Sequence, residues 1–152
     1  MADDYARFLR ERRAILSMSQ RDLAQASGVK QPLIAAIESG RRHPSQPSRA
    51  AIDGAVAMRP SVALAARRQQ VRDIFARAGL PEPTVFGSVA RGCDRTDSDI
   101  DLMVDFTDRH DIVDLLTLEA ELSALLTFPV DLVDARMRGV VTGSGAIEAV
   151  AL

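Results

Sequence analysis

Between Gly87 and Val104 the chain reads GSVARGCDRTDSDIDLMV, which sets a glycine-serine pair ten residues ahead of two aspartates separated by a single residue. Side chains along a strand alternate, so Asp99 and Asp101 share one face while Ile100, Leu102 and Val104 take the other. Two carboxylates held this close raise one another's pKa unless a cation stands between them. A hard, all-oxygen set suits Mg2+, which bridges carboxylates and substrate phosphates and can act as one of a pair of ions. A third acid, Asp131, lies in the run FPVDLVD, where Val130 and Leu132 face one way and Asp131 the other. It joins the first two if this strand pairs beside residues 100–104. Each aspartate alone suits a solvated strand end or turn; three on one sheet face behind a phosphate-type turn are better explained as a site. The turn offers the Ser88 hydroxyl and successive backbone N–H groups to phosphate oxygens. Arg91 suits either a phosphate contact or a salt bridge within the turn, and Cys93 and Arg95 are given no role.

The elements that must carry these residues follow from periodicity. Residues 61–78 predict one helix with Val71, Ile74, Phe75 and Ala78 on one side, capped by Ser61 and closed by Gly79 and Pro81. Thr84 to Phe86 predicts a strand running into Gly87-Ser88, then one helical turn from Val89 to Arg91. After the strand of Ile100 to Val104, Leu115, Leu118, Leu122 and Leu125 recur at helical spacing over 111–125. Phe128 to Asp134 is a further strand. The remainder, ARMRGVVTGSGAIEAVAL, has room for a small helix or strand, and Gly143-Ser144-Gly145 suggests a flexible piece.

The chain before Arg59 reads differently. Phe8, Leu9, Ile15 and Leu16 fall near helical spacing among arginines. SQRD at Ser19 offers a hydroxyl N-cap with an acid three residues on, and Ser27-Gly28 offers a left-handed stop. In KQPLIAAIESG, Pro32 suits a first helical turn and Gly40 the next stop. Two short helices thus flank a tight turn, which is the helix-turn-helix pattern. Prolines 44 and 47 suit the loop before a closing helix over 48–58, and Arg59-Pro60-Ser61 suits a boundary.

Charge separates the two parts. Residues 1–59 hold 10 Lys+Arg against 6 Asp+Glu, and residues 60–152 hold 9 against 15, so the parts carry about +4 and −6. A polyanion suits the first and a cation the second. The single cysteine leaves no disulfide framework and points to a reducing compartment, the cytoplasm. No apolar run reaches the roughly 20 residues of a membrane helix, and no signal-peptide pattern opens the chain.

Two family resemblances gather these residues. SQRDLAQASGVKQPLIAAIESGRRHPS closely resembles Cro/C1-type (Xre) helix-turn-helix domains. That resemblance implies DNA contacts from Gln20, Lys30, Gln31, Arg41 and Arg42, with glutamine suited to adenine and arginine to phosphate. The family's commonly polar recognition-helix positions are here Leu33, Ala35 and Ala36, which leaves thymine-methyl contacts and shape readout. GSVARGCDRTDSDIDLMV, with the later Val-Asp-Leu-Val, resembles the polymerase-β-like nucleotidyltransferases and, in its brevity, their minimal members.

Together the resemblances imply two domains. Residues 1–59 form an all-α helix-turn-helix bundle, and residues 60–152 form an α+β nucleotidyltransferase fold with a small mixed sheet. Gly87, Ser88 and Arg91 would hold the nucleotide, and Asp99, Asp101 and Asp131 would bind metal and carry catalysis, with two Mg2+ ions and ATP as co-substrate. The implied protein is the antitoxin of a toxin–antitoxin pair. Such a protein would adenylylate a tyrosine hydroxyl on a HEPN-type RNase toxin, bind its own operator DNA, and be a homodimer or a hetero-oligomer with the toxin. Two other functions fit the motifs: a DNA-binding regulator whose second domain is catalytically silent, and a nucleotidyltransferase acting on small molecules.

Overall fold

Capping chemistry sets the helix ends at the start of the chain. The computed structural model describes residues 2–136 and 149–152, and the chain divides into two units, Met1–Met58 and Arg59–Leu152. The first holds α1 (Ala2–Ile15), α2 (Gln20–Ser27), α3 (Gln31–Glu38) and α4 (Gln46–Ala55). Ser19 accepts from the N–H of Asp22, and Asp22 accepts from that of Ser19, closing a reciprocal box at the start of α2. Gly28 ends α2 in the left-handed conformation at φ 72°, donating its N–H to Ala24 O. The closing helix begins earlier than the sequence pattern predicts. Ser45 caps it through Ser48 N, and Pro47 lies in its first turn instead of the loop, where a missing N–H costs nothing. Leu9, Leu23, Ile34, Ile37 and Ile52 bring one buried face from each helix into a common core.

The second unit runs α5 (Pro60–Ala66), α6 (Arg68–Arg77), β1 (Thr84–Phe86), α7 (Gly87–Ala90), β2 (Ile100–Val104), α8 (Ile112–Leu126), β3 (Val130–Asp134) and β4 (Val150–Ala151). The sheet order is β3-β2-β1-β4, with β1 antiparallel to both neighbours and β2 parallel to β3. Parallel neighbours need a long crossover, and α8 supplies it. It begins at Asp111, whose side chain accepts from Val113 N and Asp114 N. Ile100, Leu102, Val104, Val130 and Leu132 are buried, as are Leu118, Leu122 and Leu126 of α8 and Val71, Ile74 and Phe75 of α6. The order of elements is the helical unit followed by an α+β unit with a small mixed sheet, as the sequence predicts.

One detail departs from the periodicity. The helix expected over 61–78 bends at Arg67 (φ −110°, ψ 13°) into α5 and α6, although Arg67 N still reaches Ala63 O and Val71 N reaches Arg67 O. Around the bend, the start of α5 is tied to Asp94, and both halves pack against α8. At the outer edge of β3, the N–H groups of Val130 and Leu132 are taken by the Ser123 hydroxyl (3.1 Å) and the Glu119 carboxylate (2.9 Å) of α8. Residues four apart on one helix thus close an edge that could otherwise pair with another strand. The Gly143-Ser144-Gly145 stretch lies outside the described residues. Among these residues, no helix is long and apolar enough to cross a membrane.

Candidate functional site

The carboxylates are brought together by strand register. β2 and β3 pair with Asp101 opposite Asp131, and Asp99 stands immediately before Ile100, the first residue of β2. Adjacent strands lie about 4.8 Å apart, so two acids on the same face cannot avoid each other. Asp101 is half-buried, while Asp99 and Asp131 are exposed. The Asp101 pKa is raised, first by burial, then by the charges of Asp131 and Asp99; Arg91 opposes the shift. That pattern joins all four residues in one electrostatic site.

The glycine-serine turn sits at the same end of the sheet. Phe86, the last residue of β1, pairs with Asp101, and Gly87 and Ser88 are the first residues of α7. The turn starts two residues earlier than its expected position at Val89. Gly87 is required twice over: its φ is +71°, and a Cβ there would overlap the Asp101 carboxylate. A glycine therefore lets the second strand's acid lie against the backbone of the turn.

Asp94 was not singled out by the sequence. It is buried, and its carboxylate accepts the N–H of Ser61, 33 residues earlier, at 2.8 Å. Cys93 N in turn reaches Ser88 O at 3.0 Å. Asp94 thereby fastens the turn that follows Ser88 to the start of α5. Ser61, expected as a cap, instead lies inside α5 with its backbone N–H capped by Asp94. Only the isolated acid in a glycine-rich turn hinted at this, because the partner lies far away in sequence.

The oxygen-only donor set and the cradle at Gly87 fit a hard divalent cation. Among the described residues, no group of three or more His, Cys, Asp and Glu is already gathered closely enough to hold one.

In the first unit, Lys30 is the residue before α3 and is exposed, as are Arg41 and Arg42 just beyond that helix. Lys30 and Arg42 line one groove of about 610 Å³, together with Pro32, Leu33, Ala36 and Ser48. Leu33 is also packed against the core, which accounts for an apolar residue on that helix. Gln20 and Gln31 open α2 and α3, but they are not free side chains. Gln31 Nε2 donates to Gln20 Oε1 at 2.9 Å, and Gln20 Nε2 donates to Glu38 Oε2 at 2.7 Å. Glu38, missed in the sequence, is buried and is also held by Arg13.

Comparison with known proteins finds two families in the chain. Residues 69–142 match the family described as polymerase beta, nucleotidyltransferase, and residues 9–48 match the helix-turn-helix family. The chain is similar to the protein adenylyltransferase MntA of Thermococcus cleftensis, with 41% identity over 70 residues spanning 46% of this chain and 68% of the relative. It is also similar, at 33% identity over 64 residues, to a Methanocaldococcus jannaschii protein whose name proposes the same activity; the match spans 42% of this chain and 69% of that relative. No solved structure matches the chain at comparable stringency.

Proposed function

The chain belongs to the polymerase beta nucleotidyltransferases and carries a helix-turn-helix domain ahead of its catalytic domain, and on that premise we propose that it transfers AMP from ATP to a hydroxyl of a partner protein. The observation that carries this reading is the pairing of Asp101 with Asp131 beside the Gly87-Ser88 turn. Asp99, Asp101 and Asp131 would hold the metal, and Gly87, Ser88 and Arg91 the triphosphate. Held there as a pair of ions, Mg2+ would lower the pKa of the acceptor hydroxyl and offset charge on the leaving phosphates. The acceptor oxygen attacks the α-phosphorus, the bond to the α,β-bridging oxygen breaks, and pyrophosphate leaves. Asp131 is exposed, so an incoming hydroxyl can reach it and pass it a proton.

The acceptor in this reading is a tyrosine of a HEPN-type RNase toxin, and the chain is its cytoplasmic antitoxin, assembled as a homodimer or with the toxin. The name of the Thermococcus relative supports protein as the acceptor class. Lys30, Gln31, Arg41 and Arg42, with Gln20 behind them, would bind operator DNA. The test incubates the chain with ATP, Mg2+ and a HEPN-type RNase encoded beside it, and weighs the RNase intact. A gain of AMP that is absent with Asp99→Ala and Asp101→Ala is expected; an unmodified RNase with either Mg2+ or Mn2+ sinks the proposal. Gel shifts on the upstream promoter should weaken steeply with salt, as phosphate contacts require.

A further inference from the structure

Hydrogen bonds in the first unit form a directed chain. Glu38 Oε1 accepts from Arg13 Nε at 2.6 Å, and Glu38 Oε2 accepts from Arg13 Nη2 at 2.9 Å and from Gln20 Nε2 at 2.7 Å. Gln20 Oε1 then accepts from Gln31 Nε2 at 2.9 Å. A carboxylate facing arginine can only accept, whereas an amide has one end that accepts and one that donates. Glu38 therefore compels Gln20 to turn its nitrogen inward and its oxygen toward Gln31. That oxygen in turn compels Gln31 to point its own nitrogen at Gln20. The polarity of a half-buried amide at the start of α3 is thus decided two hydrogen bonds away, by a residue that is 4% exposed.

We propose that Glu38 is a positioning residue for base selection: it fixes Gln31 so that the amide presents its oxygen and its one remaining N–H outward. The inference rests on the DNA-binding reading above. An outward oxygen with an adjacent N–H complements adenine, which offers a donor at N6 and an acceptor at N7 in the major groove. It is repelled by guanine, which offers only acceptors there. The reversed amide, with both N–H groups outward, would accept guanine. The relay therefore selects one purine over the other without Glu38 reaching DNA.

The test selects binding sites from a randomised duplex library with the full chain, using Gln31→Ala to identify the position that Gln31 reads. The wild type should favour adenine over guanine at that position by roughly tenfold or more. Glu38→Gln, which can donate as well as accept, and Gln20→Met, which cuts the relay but keeps the Arg13–Glu38 pair, should each bring the ratio within about twofold. If Glu38→Gln does not fold by circular dichroism, Gln20→Met decides. A wild-type preference retained in Gln20→Met overturns the proposal, as does a wild-type preference for guanine. A wild type that enriches no sequence overturns it too, by removing the DNA reading. In that case, side-chain amide NMR of the free protein separates the two failures: Gln31 amide protons shifted by Gln20→Met show that the relay exists without its use.

Discussion

Glu38 and Asp101 are both acids drawn off the surface, one in each unit, and their surroundings are opposite. Glu38 is answered in full, by two nitrogens of Arg13 and by the amide of Gln20. The pairing raises the Arg13 pKa, mainly through that hydrogen bond. Asp101 is set against Asp131 and Asp99, and only Arg91 leans the other way. The first carboxylate has everything it needs from the protein and serves to hold α1, α2 and α3 in place. The second sits among like charges that Arg91 only partly offsets, as suits a group that meets a cation from outside.

The contrast can be broken or sharpened by substitution. Replacing Asp101 with alanine should lower AMP transfer by about 1,000-fold or more, on the scale of lost transition-state charge stabilisation, while the circular dichroism spectrum stays native. If activity survives, the comparison fails at its functional end. Glu38→Ala should cost about 3 kcal/mol in urea denaturation of the first unit, because Arg13 is left partly buried without its partner. Gly87→Ala should cost about 1–2 kcal/mol for a side chain at positive φ and should also depress transfer, since its methyl displaces the Asp101 carboxylate.

Asp101→Asn should do the reverse of Glu38→Ala and raise the melting temperature in Mg2+-free buffer, because it removes one of the mutually repelling charges. The sign follows from linkage. With its pKa raised in the folded state, Asp101 loses its proton first in the unfolded chain, so stability falls as pH climbs from the ordinary aspartate range through the raised value. The advantage of the asparagine variant should therefore grow over that climb and vanish below it. The smallest effect is expected at Arg95–Asp97, an exposed pair at 3.4 Å with side chains 81% and 75% exposed. Removing it should change stability by less than about 0.5 kcal/mol.

Much of this was legible from local signals. The caps at Ser19 and Gly28 each involve groups within four residues, and the alternation of Ile100 to Val104 needs only the strand period. The Gly-Ser and Asp-x-Asp spacing suggested the site, and the third acid followed once β3 was assumed to pair with β2. What remained hidden depends on partners distant in sequence. Asp94 caps a helix that starts more than thirty residues earlier, whereas the sequence alone offers Ser61 for the role. The bend at Arg67 has no proline or glycine to announce it. Gln20 and Gln31 looked like two independent readers of DNA because nothing in the sequence shows that Glu38, at the far end of α3, orients both.

The central claim is that Asp101 is held among like charges so that a metal-bound nucleotide can answer it. Calorimetric titration of ATP into the full chain, with and without Mg2+, tests this directly when repeated on Asp101→Asn, whose fold is verified by its melting temperature. Binding that requires Mg2+ in the wild type and disappears in the variant is the predicted result. ATP binding that is equally strong without Mg2+, or unchanged in Asp101→Asn, would contradict it.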